Sequence, residues 1–258
     1  MPMIDADGCL LNVSVDGRDG GPTLMLSNSL GTTLGMWEPQ MKALTQIFRV
    51  IRYDRRGHGK SGEPTGPYSM ERFGRDVLAI LDGLNIRKVH WCGLSMGGMV
   101  GQWLGANAPD RIEKLVLSNT NYHYADKTPW NDRIKLVSEK GLGELVGPNM
   151  ERWFTKDFRA RAPQAIGRMT ELFLTTKPAG YIACCEAIRD MDFTSSNPRI
   201  ALPTLVIVGK HDPATPPSAG EAIQDQIKGA KLVSLDAAHI ANIEQPKAYT
   251  EAVLNFLH

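Results

Sequence analysis

Gly93-Leu94-Ser95-Met96-Gly97 sets a serine between two glycines, directly after an apolar run and directly before a helix-like stretch. On a sharp strand-to-helix turn a serine sits in strained backbone with its hydroxyl projecting, and small neighbours let the chain double back. The helix that follows offers free backbone N–H groups and the positive end of its dipole to negative charge developing beside the serine. These are the needs of a serine that attacks a carbonyl. A plain Gly-rich turn satisfies the same five letters, so the flanking strand and helix carry the assignment.

Such a serine needs a base, and the base needs an acid to orient it. On a parallel sheet with this turn, the acid and then the histidine follow the nucleophile in the chain. Asp212 lies in Gly209-Lys210-His211-Asp212-Pro213, just past the apolar run 203–208. That is the edge where parallel strands carry their ligand-facing residues. The bland alternative is an aspartate that merely starts a turn before proline. His239 lies in Ala237-Ala238-His239-Ile240 just past the run 231–235, and no other histidine occupies that edge after Asp212. His90 falls mid-strand, His211 adjoins the acid, His123 opens a helical interval and His258 is terminal. Ser95, Asp212 and His239 are therefore the expected nucleophile, acid and base, with Asp212 orienting the imidazole without taking its proton. The backbone N–H groups of Met96 and Leu30 are the expected oxyanion donors, Leu30 from the small polar loop Asn28-Ser29-Leu30-Gly31-Thr32-Thr33.

The elements that must position these residues read as an alternation. Strand-like runs fall at 10–15, 23–27, 48–53, 88–92, 114–118, 203–208 and 231–235, and helical patterns at 68–84, 96–108, 218–227 and 246–257. Several runs are continuously apolar, Leu205-Val206-Ile207-Val208 for one, which suits strands buried on both faces of a parallel sheet. The pattern predicts an α/β fold with helices on both sides. Residues 121–193 break the rhythm with helical segments at 131–140, 150–160, 163–175 and 179–191 and no strand. They predict a helical lid inserted in a core made of 1–120 and 194–258. With no repeat and no low-complexity linker, that lid should pack on the core.

Composition excludes several classes. Among 258 residues, 29 Lys and Arg face 28 Asp and Glu, a net charge of +1 that gives no footprint for nucleic acid or an anionic membrane surface. No apolar run approaches the roughly 20 residues of a membrane span, and the first residues lack the basic start and apolar stretch of a secretory signal. Cys9, Cys92, Cys184 and Cys185 are too few and too irregular for a disulfide framework, and a bridge between the adjacent pair would be strained. A reduced, cytoplasmic protein is the simplest expectation. Gly59-Lys60-Ser61 looks like the end of a phosphate-binding loop, but Asp54 stands where that motif needs glycine and Gly62-Glu63-Pro64 stands where it needs a helix. A structural loop that braces the strand edge is expected instead.

Taken together, Asn28-Ser-Leu-Gly-Thr-Thr, Asp54-Arg-Arg-Gly-His-Gly, Gly93-Leu-Ser-Met-Gly-Gly, Trp130-Asn-Asp-Arg-Ile134 and Cys184-Cys-Glu-Ala-Ile-Arg-Asp190 resemble the 3-oxoadipate enol-lactonases. These are α/β-hydrolases of aromatic catabolism. The resemblance covers nearly the whole chain. Gly-x-Ser-x-Gly and Asp-x-Arg-Gly-x-Gly identify only the superfamily; the Asn28-Ser29 loop, where many relatives have His-Gly, and the segments at 130–134 and 184–190 narrow it. It implies a mostly parallel eight-stranded sheet with an inserted helical lid, and hydrolysis of an anionic enol-lactone to 3-oxoadipate without metal or organic cofactor. Some members carry a fused decarboxylase domain; this chain ends just after its last helix, so that activity is expected elsewhere.

The lactone's acetate group should meet an arginine, whose fork binds carboxylate in bidentate fashion. Arg133 is the first candidate, with Trp130 three residues earlier as an apolar wall; both could instead be ordinary packing and surface residues. Arg189 is a weaker candidate, because Asp190 and Asp192 stand ready as its partners. The expected partner is thus a small anionic lactone, with no nucleic acid and no membrane, and a homo-oligomer is left open. Rival readings on the same scaffold are a carboxylesterase or perhydrolase, a carbon–carbon bond hydrolase, and a non-catalytic ligand-binding relative. The last would be expected to lack a triad member.

Overall fold

The computed structural model describes residues 2–258. Eight strands, β1 (Met3–Asp5), β2 (Leu10–Gly17), β3 (Thr23–Ser27), β4 (Arg49–Tyr53), β5 (Val89–Leu94), β6 (Ile112–Ser118), β7 (Thr204–Gly209) and β8 (Lys231–Leu235), form one sheet ordered β1-β2-β4-β3-β5-β6-β7-β8. The β1–β2 and β2–β4 pairs are antiparallel, and every other pair is parallel. Seven strands match the apolar runs. β1 does not, because three residues are too few to show alternation; it is a strand because Ile4 pairs with Leu11 of β2.

Between the strands run α1 (Glu38–Leu44), α2 (Met70–Gly83) and α3 (Met96–Asn107). After β6 come α4 (Thr128–Lys140), α5 (Val146–Trp153), α6 (Lys156–Arg161), α7 (Pro163–Leu174) and α8 (Pro178–Asp190), then α9 (Pro217–Gln226), α10 (Ala241–Glu244) and α11 (Pro246–Leu257). Neighbouring residues of β5 show that helices cover both faces. Trp91 gives its indole N–H to Gly97 O at the start of α3, while the Cys92 Sγ lies 3.5 Å from Tyr249 Oη of α11. Consecutive side chains of a strand point to opposite faces, so α3 and α11 lie on opposite sides. All of Leu205, Val206, Ile207 and Val208 are buried in β7, as a strand covered on both faces requires.

The expected helix at 150–160 is two helices. Phe154 is extended (φ −137°, ψ 143°), and Thr155 accepts a hydrogen bond from Phe158 N–H to cap α6. No glycine or proline marks that break, but threonine followed by an acid in the first turn is a capping signal. The segment between β6 and β7 starts and ends at one place: His123 bridges Asp192, and Phe193 N–H donates to Tyr122 O at 2.9 Å. Within it, α4 packs on α8. Among the described residues no helix is long and apolar enough to cross a membrane. The four cysteines are free and buried.

The chain runs from β3 outward to β4, then crosses back to β5 on the other side of β3. At such a switch point two loops diverge and leave a crevice at the carboxyl ends of the strands. The loops after β3 and β5 are those that carry Leu30 and Ser95.

Candidate active site

Ser95 occupies the turn between β5 and α3 at φ 57° and ψ −114°, a conformation that residues with side chains rarely adopt. The turn survives because its neighbours lack side chains. A Cβ on Gly93 would stand 2.1 Å from Gly97 O, and one on Gly97 would stand 2.2 Å from Ser27 O. Ser95 is 7% exposed.

His239 presents Nε2 to Ser95 Oγ at 2.9 Å and Nδ1 to Asp212 Oδ2 at 2.8 Å. An ionised carboxylate only accepts, so Nδ1 carries the proton and the Nε2 lone pair faces the serine hydroxyl. Asp212 is built to stay ionised. Its Oδ1 accepts the N–H groups of Ala214 (2.8 Å) and Thr215 (3.0 Å); its Oδ2 also accepts Asn119 Nδ2 (3.0 Å) and Thr215 Oγ1 (2.7 Å). Burial pushes this carboxyl up, but the charge and hydrogen bond of His239 together with the Thr215 donors outweigh burial and hold it below its ordinary range. Asn119, just past β6, reaches Asp212 from a left-handed backbone (φ 43°). Asparagine is among the few residues that tolerate this, which was the only sequence signal for it. Thr215 could have been read from its spacing, since an aspartate accepting from residues two and three ahead is a common turn.

The loop bearing His239 is tied to residues 153–155 on both sides of the histidine, directly and through Glu244. Ala238 N–H donates to Glu244 Oε2 (2.9 Å), and Ile240 N–H donates to Trp153 O (3.0 Å). The buried Glu244 carboxylate also accepts the N–H and the hydroxyl of Thr155, at the break between α5 and α6.

On the other side of Ser95, the loop 28–34 is held by several hydrogen bonds to its backbone. Asn28 O accepts Gly97 N–H and the Arg55 guanidinium, Gly31 N–H donates to His58 Nε2 (3.0 Å), and Leu34 N–H donates to Asp54 Oδ1 (2.8 Å). Leu30 N–H and Met96 N–H have no hydrogen-bond acceptor among the described residues. The loop Asp54–His58 therefore does more than brace a strand edge: it holds the loop that presents Leu30. His58 must stay neutral to accept from Gly31, and burial, followed by the charge of Arg55, pushes its pKa down to about 3. Lys60 and Ser61 sit in turns, with Lys60 N–H held by Asp54 Oδ2 at 3.1 Å, so no phosphate cradle exists there.

Ser95 and His239 open into a cavity of about 490 Å³, whose wall includes Trp130, Arg133, Arg152 and Trp153. Arg133 lies over the Trp130 ring with Cζ 5.4 Å from the centroid, and its Nη1 donates to Tyr181 Oη at 2.9 Å. Arg152 was not foreseen, because the inward face of α5 is decided only by packing. Arg133 and Arg152 share one neutral acceptor, Asn149 Oδ1, at 3.5 and 2.7 Å. Asp126 and Asp132 also reach the wall, but both are exposed and neither bonds to either arginine. Burial and the neighbouring Arg133 charge pull Arg152 down to about 10. Arg189 lies outside the cavity, paired with Asp190 at 2.7 Å. His211 is likewise turned away, exposed and bonded to Asp236 at 2.8 Å.

Comparison with known proteins places this geometry. The alpha/beta hydrolase fold family profile matches residues 22–135, and that of the TAP-like proteins residues 184–258. The crystal structure of an enol-lactonase from Burkholderia xenovorans LB400 superposes with a TM-score of 0.97 at 42% identity, covering 99% of each chain. A thermophilic esterase from Thermogutta terrifontis, solved with malate bound, superposes with a TM-score of 0.92 at 27% identity over 99% of this chain and 96% of that one. A 3-oxoadipate enol-lactonase of Acinetobacter baylyi is 38% identical over 97% of this chain and 94% of its own. That match extends over nearly the full length of both chains, and by it the chain belongs to the 3-oxoadipate enol-lactonase family of α/β hydrolases.

Proposed function

We propose that this chain opens 3-oxoadipate enol-lactone to 3-oxoadipate through an acyl-enzyme on Ser95. One observation carries the reading: the hydrogen-bonded line Ser95–His239–Asp212 opens on a cavity whose wall holds two arginines with no carboxylate partner. Partly buried cations without counter-ions are incompletely solvated, and an anionic ligand offsets that cost. The lactone's acetate supplies such an anion.

The steps follow from the distances. Ser95 Oγ attacks the lactone carbonyl as its proton passes to His239 Nε2, 2.9 Å away. Asp212 holds the ring in the required tautomer and stabilises the imidazolium. The carbonyl oxygen, now negative, is met by Leu30 N–H and Met96 N–H. Collapse of the tetrahedral intermediate breaks the ring C–O bond, and the enolate leaves while still tethered to the acyl chain. His239 returns its proton to that enolate. Water activated by His239 then releases the diacid from Ser95, and the enol relaxes to the ketone. Residues 121–193 serve as a lid over this cavity, with Arg133 and Arg152 clamping the carboxylate against Trp130.

The test follows loss of enol-lactone ultraviolet absorbance, with the substrate generated in the cuvette. Wild type should accelerate decay and Ser95→Ala should abolish the acceleration. Arg133→Met should raise KM for the lactone at least tenfold while leaving a neutral aryl ester nearly unchanged, as loss of a charge-assisted pair predicts. Decay at the spontaneous rate, from protein that hydrolyses the aryl ester, would replace this reading with a carboxylesterase.

A further inference from the structure

Each peptide group that aims an N–H at the expected oxyanion has its own carbonyl capped by a buried threonine hydroxyl. Met96 N–H belongs to the Ser95–Met96 peptide, and Ser95 O accepts Thr120 Oγ1 at 2.7 Å as well as Met99 N–H at 3.1 Å. Leu30 N–H belongs to the Ser29–Leu30 peptide, and Ser29 O accepts Thr32 Oγ1 at 2.9 Å as well as Thr32 N–H at 3.3 Å. Thr32 is fully buried and Thr120 is 3% exposed. Thr32 Oγ1 also lies 3.0 Å from Met36 Sδ, but a thioether is a weak acceptor and the hydroxyl has one proton to give. The two threonines come from different loops, after β3 and after β6, and do the same thing to two different peptides.

A trans peptide is planar, with its N–H pointing opposite to its C=O. Fixing the carbonyl oxygen therefore fixes the direction of the N–H on the far side. A hydrogen bond accepted by the oxygen also draws charge from nitrogen, and the N–H becomes a stronger donor, as in any polarised hydrogen-bond chain. We propose that Thr32 and Thr120 are positioning residues that orient and polarise the Leu30 and Met96 donors of the oxyanion hole. The inference rests on the reading of those two N–H groups as the donors.

Threonine to valine keeps the shape and removes the hydroxyl, and each carbonyl keeps its backbone partner, so Thr32→Val and Thr120→Val should fold. Deleting an oxyanion donor outright costs about 10²–10³ in kcat; weakening one through its own peptide should cost roughly tenfold per threonine. The experiment measures kcat and KM for the lactone, with the Kd of a trifluoromethyl ketone that forms a tetrahedral adduct on Ser95 and the Kd of levulinate, a carboxylate that forms none. Both valine variants should lose kcat and ketone affinity by the same factor, with KM and levulinate affinity unmoved. Thr32→Ser and Thr120→Ser should restore them, and the double valine variant should show the product of the two losses. Unchanged ketone affinity in both valine variants overturns the inference, as does a parallel loss of ketone and levulinate affinity that serine does not restore. The ketone adduct reports on Ser95 whichever ester is the substrate, so failure of the lactone assignment leaves this comparison readable and separate.

Discussion

His58 shows how a residue that meets no reactant conditions the site. Its imidazole is fully buried and accepts Gly31 N–H with an unprotonated nitrogen, so the fold tolerates only the neutral ring. Its pKa is about 3 in the fold, whereas an ordinary histidine titrates at 6.5. As pH falls through 6.5 the unfolded chain binds a proton that the folded chain refuses, and stability drops until about pH 3. Across that window each pH unit costs at most about 1.4 kcal/mol from this one group. Gln at position 58 can still accept from Gly31 and does not titrate. His58→Gln should therefore be less stable than wild type at pH 7, with the difference in Tm shrinking steadily towards pH 4. Parallel curves would assign the acid sensitivity to other groups. Ser95, Asp212 and His239 could be picked out of the sequence because each follows an apolar strand run, and Thr215 from its spacing to Asp212; His58, Asn119 and Arg152 could not, because their partners lie in other loops or on helix faces that only packing defines.

At the scale of elements, the break between α5 and α6 carries the most consequence. Phe154 and Thr155 are not a slack joint: Thr155 caps α6 and binds Glu244, while Trp153 O holds the residue after His239. Trp153 in turn forms cavity wall. The helices between β6 and β7 are thus anchored to the histidine loop at the α5 end, and again at the start of α8, where Gly180 N–H donates to Glu63 Oε1 at 2.8 Å. Glu244→Ala strands Ala238 N–H together with both Thr155 donors, and each buried unsatisfied group costs about 1–3 kcal/mol. A stability loss of about 3 kcal/mol or more by urea unfolding is expected, with faster proteolysis at 154–155; Glu244→Gln should recover most of both. A wild-type-like Glu244→Ala would mean that the α5–α6 break is held by its apolar contacts alone. The sequence signals for these elements were uneven for physical reasons. Long strands covered on both faces announce themselves as apolar runs, whereas β1 exists only through pairing and the α5–α6 break only through a side-chain cap.

For the whole molecule, the order of the sheet dictates when the site can exist. β5, β6, β7 and β8 are added side by side in chain order, and His239 arrives with the outermost. Ser95 and His239 bond across 144 residues, and Asn119 and Asp212 across 93. Contacts of such separation form late, because a large loop must close before they are rewarded. On refolding from urea, esterase activity should return measurably after the far-UV signal of the sheet; recovery of both on one exponential would show that β8 docks with the rest. The neck formed by Tyr122, His123, Asp192 and Phe193 has a different kind of consequence. Because the stretch between Tyr122 and Phe193 departs and returns through one pair of adjacent segments of chain, a change of length or sequence among its helices need not alter the order or register of the strands. The wall around Trp130 and Arg133 can therefore vary while the strand that leads to Ser95 keeps its place.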